Sequence, residues 1–315
     1  MVGLCLVAVF ALAAVTAGSA SAASPEWGKC EAQAGGKYED SNCQTKAKGK
    51  TGVKAFEWHK GATLPNIPFT GESVGNGGVL SQQNIYCGSE SGVITGAPKH
   101  PLSRSACAAK GGEFHEAGTI EIECAKENAT GEASGKSNIV NVHVTFKGCL
   151  LFGNSPCKSA GAAEGEVKTN ALKGKLGIID KATKEVGALL EPVTKHGPFA
   201  NFACGGGEVP VVVGVGNKKD GAWWLPENKG GNDQIISPIT PVNQMTSQFT
   251  QVYSTVPGEV KENIPNKFEG KARSGLESYD EFYIGETLEG MTPWSAAGEE
   301  VTNVNTPEKP GEIKF

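Results

Sequence analysis

The stretch Asn138-Ile-Val-Asn-Val-His-Val-Thr-Phe-Lys147 is the clearest secondary-structure signal in this chain of 315 residues. One set of alternate side chains is apolar and consists of Val140, Val142, Val144 and Phe146. The set between them is polar and consists of Asn141, His143 and Thr145. Alternation with a period of two residues is typical of a β-strand with one face in a core and the other toward solvent. The stretch therefore predicts a half-buried strand.

Shorter signals of the same kind fill much of the remaining chain. Glycine occurs 43 times, with Val, Ile, Thr and Phe scattered between, which indicates many short strands joined by tight turns. Residues 176–180 and 185–190 flank a charged turn at 181–184, which predicts a hairpin. Further predicted strands are 119–124, 199–204, 209–215, 247–253 and 281–284. Since no window has the apolar spacing of a long helix, we predict an all-β fold, either an antiparallel β-sandwich or a barrel, with a small Cys-stapled N-terminal module.

The beginning of the chain has the composition of a secretory signal peptide. An apolar run is followed by Ala20-Ser21-Ala22, small residues typical of a cleavage site. We predict a signal peptide over 1–22 and a secreted protein, extracellular or associated with the cell wall, without stable membrane insertion after cleavage. The rest is predicted to form the N-terminal module over 23–61, the main antiparallel β domain over 62–290 and a loosely ordered C-terminal tail over 291–315.

The cysteine content supports the same compartment. Cys5 lies in the predicted signal peptide, and the eight other cysteines form an even set, which is typical of a secreted protein with four disulfides. Eight cysteines allow about 105 pairings, and we expect neighbours to pair. The predicted disulfides are Cys30–Cys43, Cys87–Cys107, Cys149–Cys157 and, for the two left over, Cys124–Cys204. The third pair lacks the Cys-x-x-Cys spacing of zinc or redox sites, so we interpret it as a staple of a loop.

The charge pattern excludes one class of partner. The formal net charge is −5, so no basic footprint for nucleic acid is present. A small basic strip in the N-terminal module consists of Lys46, Lys48, Lys50 and Lys54. A contact with an anionic wall polymer is one interpretation of this strip, and a solvated loop is the one we favour.

Catalytic patterns are few. The chain has no Gly-x-Ser-x-Gly elbow and no His-Glu-x-x-His zinc helix, and we predict no metal site and no cofactor. Its histidines are far apart in sequence: His59, His100, His115, His143 and His196. Glu121 and Glu123 share one face of a predicted strand, where two carboxylates could act on a glycan. Any exposed strand face has this spacing, and we favour that interpretation.

Residues 130–137, Thr-Gly-Glu-Ala-Ser-Gly-Lys-Ser, nearly match a phosphate-binding loop. Such a loop needs a strand before it and a helix after it, because amides at the helix N-terminus meet the phosphate. The best predicted strand follows this segment instead. We therefore interpret it as a hairpin turn.

The pair Trp223-Trp224 is the strongest candidate for binding. Adjacent residues of an extended segment point to opposite faces, so one indole is free to lie outside a core. Asp220 and Asp233 lie in the same loop of Gly, Asn and Asp residues, a composition that suits sugar stacking. The alternative is that one Trp is in the core and the other covers a sheet edge, as exposed aromatics commonly do.

A series of short motifs, spread over about residues 113–288, resembles a known family. The motifs are Val144-Thr-Phe-Lys-Gly-Cys149, Cys157-Lys-Ser-Ala-Gly-Ala-Ala-Glu-Gly-Glu166, Thr169-Asn-Ala-Leu-Lys-Gly-Lys-Leu-Gly177, Lys184-Glu-Val-Gly187, Phe202-Ala-Cys-Gly-Gly206, Pro238-Ile-Thr-Pro-Val-Asn243 and Lys267-Phe-Glu-Gly270. Their order is similar to that in an uncharacterised family of secreted, Gly-rich, disulfide-containing β-proteins from high-GC Gram-positive soil bacteria. The resemblance implies secretion and an all-β fold, and it implies no activity. The segment 216–233 is longer here than that family leads us to expect.

These observations leave three functional hypotheses. The leading one is a non-catalytic extracellular binding or interaction protein, with cell-wall glycan or another extracellular protein as partner. The second is a secreted glycan hydrolase with paired Glu or Asp residues. The third is a purely structural envelope protein.

Overall fold

The computed structural model describes residues 24–49, 54–89, 92–93, 113–195, 197–207, 209–215, 234–255, 267–272, 276–280 and 294–315. The predicted signal peptide and the predicted sugar-stacking loop at 216–233 lie outside these ranges. Within them, regular structure is almost entirely β, which confirms the predicted fold class.

The strands follow one another with short connections. In chain order they are β1 (Glu26–Ala32), β2 (Phe56–Lys60), β3 (Ile67–Ser73), β4 (Gly78–Ser89), β5 (Gly92–Val93), β6 (Glu113–Cys124), β7 (Lys126–Ser134), β8 (Asn138–Lys147), β9 (Leu150–Leu151), β10 (Ser155–Lys158), β11 (Glu166–Lys168), β12 (Leu172–Asp180), β13 (Glu185–Pro192), β14 (Ala200–Cys204), β15 (Val209–Val215), β16 (Ile235–Thr240), β17 (Phe249–Tyr253), β18 (Lys267–Phe268), β19 (Lys271–Ala272), β20 (Leu276–Asp280), β21 (Trp294–Pro307) and β22 (Glu312–Lys314). Single 3₁₀ turns lie at Gly61–Thr63 and Gly205–Gly207. The predicted hairpin is confirmed as β12 and β13, and the near-match to a phosphate loop is a hairpin, with its turn at residues 135–137 between β7 and β8.

Eight antiparallel strands form a closed barrel. Going round the ring, the order is β3, β7, β8, β12, β13, β16, β17 and β21, and β21 pairs back to β3. The barrel alternative of the predicted fold is therefore the correct one. Closure gives each strand of the ring a partner on both sides, so the ring has no free edge at which further strands would add.

The long strand β21 also belongs to a second circuit of strand pairs. Its first part, Trp294–Ala296, pairs with β20, and residues 297–300 pair with β4. From there the pairing passes through β6, β9, β10, β14 and β15 and returns to β20. The later residues 301–307 of β21 close the eight-stranded barrel. One strand thus joins both circuits.

At the beginning of β8, the residue that faces the interior is not the one predicted. The residues of this strand that line the interior are Ile139, Val142, Val144 and Phe146. The pairing of β8 shifts by one residue against both β7 and β12, and Asn141 lies at the shift with φ of 54°. Such a bulge reverses the side that alternate residues face. The predicted inward position is therefore wrong for Val140 and confirmed for the other three.

The N-terminal module is a sheet in the order β2-β1-β22, held by the predicted Cys30–Cys43 disulfide. Trp27 docks it onto the barrel, because its indole lies edge-on to Phe249 with 5.5 Å between ring centroids. Its main-chain N–H also donates to the carbonyl of Lys136 in the β7–β8 turn at 2.8 Å. The module thus covers one mouth of the barrel.

The prediction of a loosely ordered tail over 291–315 is wrong from Trp294 onward. Strand β21 is paired on both edges, and β22 completes the N-terminal sheet. Lys314 holds β22 in place, since its Nζ lies 4.6 Å from the ring centre of Tyr38 and 4.5 Å from that of Trp58. Cation–π contacts of this kind contribute about 0.5–2 kcal/mol.

Two of the predicted disulfides are wrong. Cys149 pairs with Cys124, and Cys157 pairs with Cys204, instead of Cys149–Cys157 and Cys124–Cys204. The reason is strand pairing: Cys157 lies directly opposite Cys204 in the β10–β14 ladder, although its main-chain N–H donates to the carbonyl of Cys149 at 3.0 Å. Closing these longer loops contributes about 3–4 kcal/mol each in the chain-entropy estimate. For the predicted pair Cys87–Cys107, Cys107 lies outside the described residues.

Digestion by trypsin without reduction distinguishes this connectivity from the predicted pair Cys149–Cys157, because Cys149 and Cys157 share the tryptic peptide 148–158. We expect mass spectrometry to find this peptide joined to both 111–126, which holds Cys124, and 196–218, which holds Cys204. Blocking free thiols at mildly acidic pH before digestion prevents exchange. A free 148–158 peptide with an internal disulfide would contradict the pairing.

Candidate functional site

The interior contains two adjoining cavities, of about 70 Å³ and about 110 Å³. They share part of their wall: Glu127, Val144, Leu190 and Tyr253. The smaller cavity extends toward Trp27, at the mouth that the N-terminal module covers. The larger extends toward Phe199 and Phe202. Most of both walls is aliphatic or aromatic, so the cavities are apolar spaces. Of the few polar side chains, Glu127 and Tyr253 line both cavities, and Gln251, Asn303 and Asn305 line the smaller one.

Glu127 reaches that boundary from β7. The buried residues of this strand alternate as Glu127, Ala129 and Gly131, so Glu127 takes an inward position with small neighbours. Its side chain is only 5% exposed. Sequence reasoning missed it, although the inward alternation of the segment Lys126-Glu-Asn-Ala-Thr-Gly-Glu-Ala-Ser134 was a usable signal.

Glu127 belongs to an interior polar cluster formed with Asn303, Asn305, Gln251 and Ser237. Asn303 Nδ2 donates to Glu127 Oε1 at 2.6 Å. Asn305 Nδ2 donates to Gln251 Oε1 at 2.8 Å, and Gln251 Nε2 donates to Ser237 Oγ at 2.8 Å. These bonds fix the orientation of all three amides, since each amide nitrogen has an acceptor.

Two oxygen atoms of the cluster lack a partner among the described residues, Glu127 Oε2 and Asn303 Oδ1. An unpartnered buried polar atom costs about 1–3 kcal/mol. Burial also raises the pKa of the Glu127 carboxyl above its usual value, and the hydrogen bond from Asn303 opposes that rise. Acids with shifted pKa values in cavities are enriched at functional sites, so Glu127 is a candidate site residue.

Gly71 in β3 provides the room for this cluster. A Cβ atom at this position would lie 2.7 Å from Asn303 Oδ1 and 2.7 Å from Asn305 Oδ1, closer than atoms pack. Both amide oxygens therefore point to the space beside Gly71. Any larger residue there would displace them.

The site residues predicted from sequence lie elsewhere. Trp223, Trp224, Asp220 and Asp233 all fall within 216–233, outside the described residues. Glu121 and Glu123 are exposed on β6, whereas Ile122 and Cys124 between and after them are buried. The two glutamates thus share the outer face of the strand, as the favoured interpretation predicted, away from the cavities.

The remaining candidates whose side chains the structure describes lie at the surface as well. His143 is exposed on β8, as are Lys46, Lys48 and Lys54 in the N-terminal module. His59 Nε2 lies 3.5 Å from a carboxylate oxygen of Glu31 in the same module.

No protein-family model, curated protein or solved structure matched this chain. The resemblance to secreted soil-bacterial proteins stays a prediction. In the described part of the chain, we find no helix with the length and apolar character needed to span a membrane. The same residues contain no group of three or more His, Cys, Asp or Glu side chains placed to hold a metal ion.

A second buried carboxyl lies in the N-terminal module. Glu312 of β22 is fully buried opposite Gly28, and neither of its oxygens has a hydrogen-bond partner among the described residues. Burial raises the pKa of Glu312 to about 7, and Lys314 opposes the rise while Asp40 adds to it. Asp40 and Lys314 belong to the same module, so this acid is part of the module's own core.

The pKa of Glu312 predicts that the free energy of unfolding falls as the pH rises from 5 to 8. The carboxyl binds its proton more tightly in the folded state, so its contribution is complete below the ordinary pKa of 4.5 and is lost as the pH passes about 7. The free energy of unfolding that is lost in this way is about 3 kcal/mol at most. Urea denaturation of wild type and Glu312→Gln at several pH values measures this loss.

We expect the free energy of unfolding of Glu312→Gln to depend less on pH than that of wild type. The pH dependence that remains should come from Glu127, whose pKa burial also raises. Glu123→Gln on the exposed face of β6 is the matched control and should retain the full slope. If wild type and Glu312→Gln lose stability equally, Glu312 is not the titrating group.

Proposed function

We propose that the protein is secreted and acts as a non-catalytic binding protein that holds a small, mostly apolar molecule inside its barrel. The observation that carries this proposal is the pair of adjoining apolar cavities with one buried polar cluster, which lies in the wall of the smaller cavity and whose Glu127 lines both. Ligand sites commonly consist of an apolar wall and a few polar groups that orient the ligand. An engineered apolar cavity of about 150 Å³ is large enough to bind benzene, which is the size range of these two spaces together.

The form of the polar cluster favours binding over hydrolysis. Glycan hydrolases of the usual kind need two carboxyl groups on opposite sides of the bond they cleave. The hydrogen-bond partner of Glu127 is the amide of Asn303, not a second carboxyl. Glu121 and Glu123, the pair considered from sequence, are exposed on the outer face.

Secretion is supported by two independent features. The apolar N-terminal run ends in Ala20-Ser21-Ala22. The described residues contain three disulfides, Cys30–Cys43, Cys124–Cys149 and Cys157–Cys204, which fit an oxidising environment outside the cytoplasm.

Expression of the full chain in a Gram-positive bacterial host tests secretion. Mass spectrometry of protein from the culture medium should find a mature chain that begins at Ala23. A chain found only inside the cells with residues 1–22 attached would contradict this half of the proposal.

Filling the cavities tests interior binding. Val144 lines both spaces, so Val144→Phe should occupy the volume that a ligand would use. We expect benzene and 1-butanol to shift the methyl resonances of cavity-lining residues such as Ile139 and Leu190 in wild type. In Val144→Phe the affinity should fall at least tenfold.

Val140→Phe is the matched control, because Val140 lies on the same strand outside the walls of both cavities. It should bind both probes as wild type does. Absence of binding to wild type, or equal binding by Val144→Phe, would refute the interior site. Circular dichroism of each variant verifies that the β fold is retained.

A further inference from the structure

The unused atoms of the interior polar cluster are hydrogen-bond acceptors. The amide nitrogens of Asn303, Asn305 and Gln251 already donate within the cluster. Glu127 Oε2 and Asn303 Oδ1 have no partner among the described residues, and both belong to side chains that are at least nine-tenths buried. A ligand that complements these atoms must therefore bring donors.

A third oxygen lies beside that of Asn303. Asn305 Oδ1 is directed, with Asn303 Oδ1, at the space over Gly71, because both are 2.7 Å from the position of a Cβ there. Asn303 and Asn305 are two residues apart on β21 and so project to the same side of the strand. The three oxygens form a small acceptor surface on one side of the interior.

The cluster also lacks a positive charge. No Lys, Arg or His side chain among the described residues forms an ion pair with Glu127. Its carboxyl group has one hydrogen-bond partner among them, the neutral amide of Asn303. Lys309, the basic residue in the wall of the smaller cavity, is exposed to solvent. Buried carboxylates are normally paired with a cation. A ligand with a positive charge would supply the missing partner.

We propose that the interior site binds a small primary ammonium compound with a short hydrocarbon chain. The three N–H groups of the ammonium donate to Glu127 Oε2, Asn303 Oδ1 and Asn305 Oδ1. The hydrocarbon chain packs against the apolar wall that Val144 and Leu190 share between the two cavities. This inference rests on the proposed function, since it specifies the ligand of the same site.

Isothermal titration of the full chain with n-butylammonium chloride and 1-butanol tests the proposal, because the two probes match in size and differ in charge. At pH 7.5 and 0.3 M salt, which screens surface charges, we expect wild type to bind the ammonium at least tenfold more tightly than the alcohol. Glu127→Gln should lose at least tenfold in affinity for the ammonium and retain that for the alcohol within twofold. Glu123→Gln on the outer face should match wild type.

A third probe tests the donors on wild type alone. n-Butyltrimethylammonium retains the charge but has no N–H group, so we expect its affinity to be at least tenfold below that of n-butylammonium. This comparison remains decisive even if Glu127→Gln does not fold. We expect that variant to fold, however, because Gln has nearly the shape of Glu and its amide oxygen accepts from Asn303 Nδ2 as Glu127 Oε1 does.

The outcomes separate the two proposals. If 1-butanol and benzene bind but the ammonium has no advantage, or if the trimethylated probe binds equally well, the inference about the headgroup is wrong and the interior site stands. If no probe binds wild type, both fall. An effect of Glu123→Gln equal to that of Glu127→Gln would indicate surface attraction and would also overturn the inference.

Discussion

The structure depends on the pairing of one long strand, β21, along both of its edges. Residues 301–307 close the eight-stranded barrel between β17 and β3, and residues 294–300 close the second circuit between β20 and β4. Backbone amides and carbonyls are strong hydrogen-bonding groups, and leaving them buried without partners is costly. Because both circuits need β21, this strand couples the two halves of the β structure. It also supplies Asn303 and Asn305, so closure of the barrel and assembly of the interior polar cluster depend on the same residues.

The interior combines features that oppose one another energetically. Apolar residues such as Leu172, Leu190 and Ile239 are buried at the core and stabilise it by the hydrophobic effect. Glu127 and Asn303 in the same interior have unpartnered oxygens, which lowers the free energy of unfolding. Gly71 leaves the space in which the amide oxygens fit, and a larger residue would fill it. Unpartnered oxygens beside an unfilled space destabilise the fold, and they are the groups that a ligand with a polar headgroup would need, as in the proposed site.

Several elements were predictable from local patterns, and each failure has a physical cause. The alternation in β8 predicted Val142, Val144 and Phe146 as inward residues, because period two is a local property of extended chain. The bulge at Asn141 depends on the partners of β8, and it placed Ile139 inward instead of Val140. The pairing Cys30–Cys43 is local and was predictable. Cys157–Cys204 joins residues 47 apart and follows from a ladder that local spacing does not reveal.

The amino-acid sequence by itself determined the class of the protein: strands instead of helices and a Cys-stapled N-terminal module. These properties follow from side-chain alternation and cysteine number, which act over a few residues or over the composition as a whole. The tertiary structure alone decided the closure of the barrel, two of the disulfides and the formation of strands within residues 294–315. It also decided the contact between Glu127 and Asn303, which are 176 residues apart in the chain. The physical reason is that sheet register and burial arise between distant segments, so a carboxylate on a short polar strand becomes a candidate site only when the barrel closes around it.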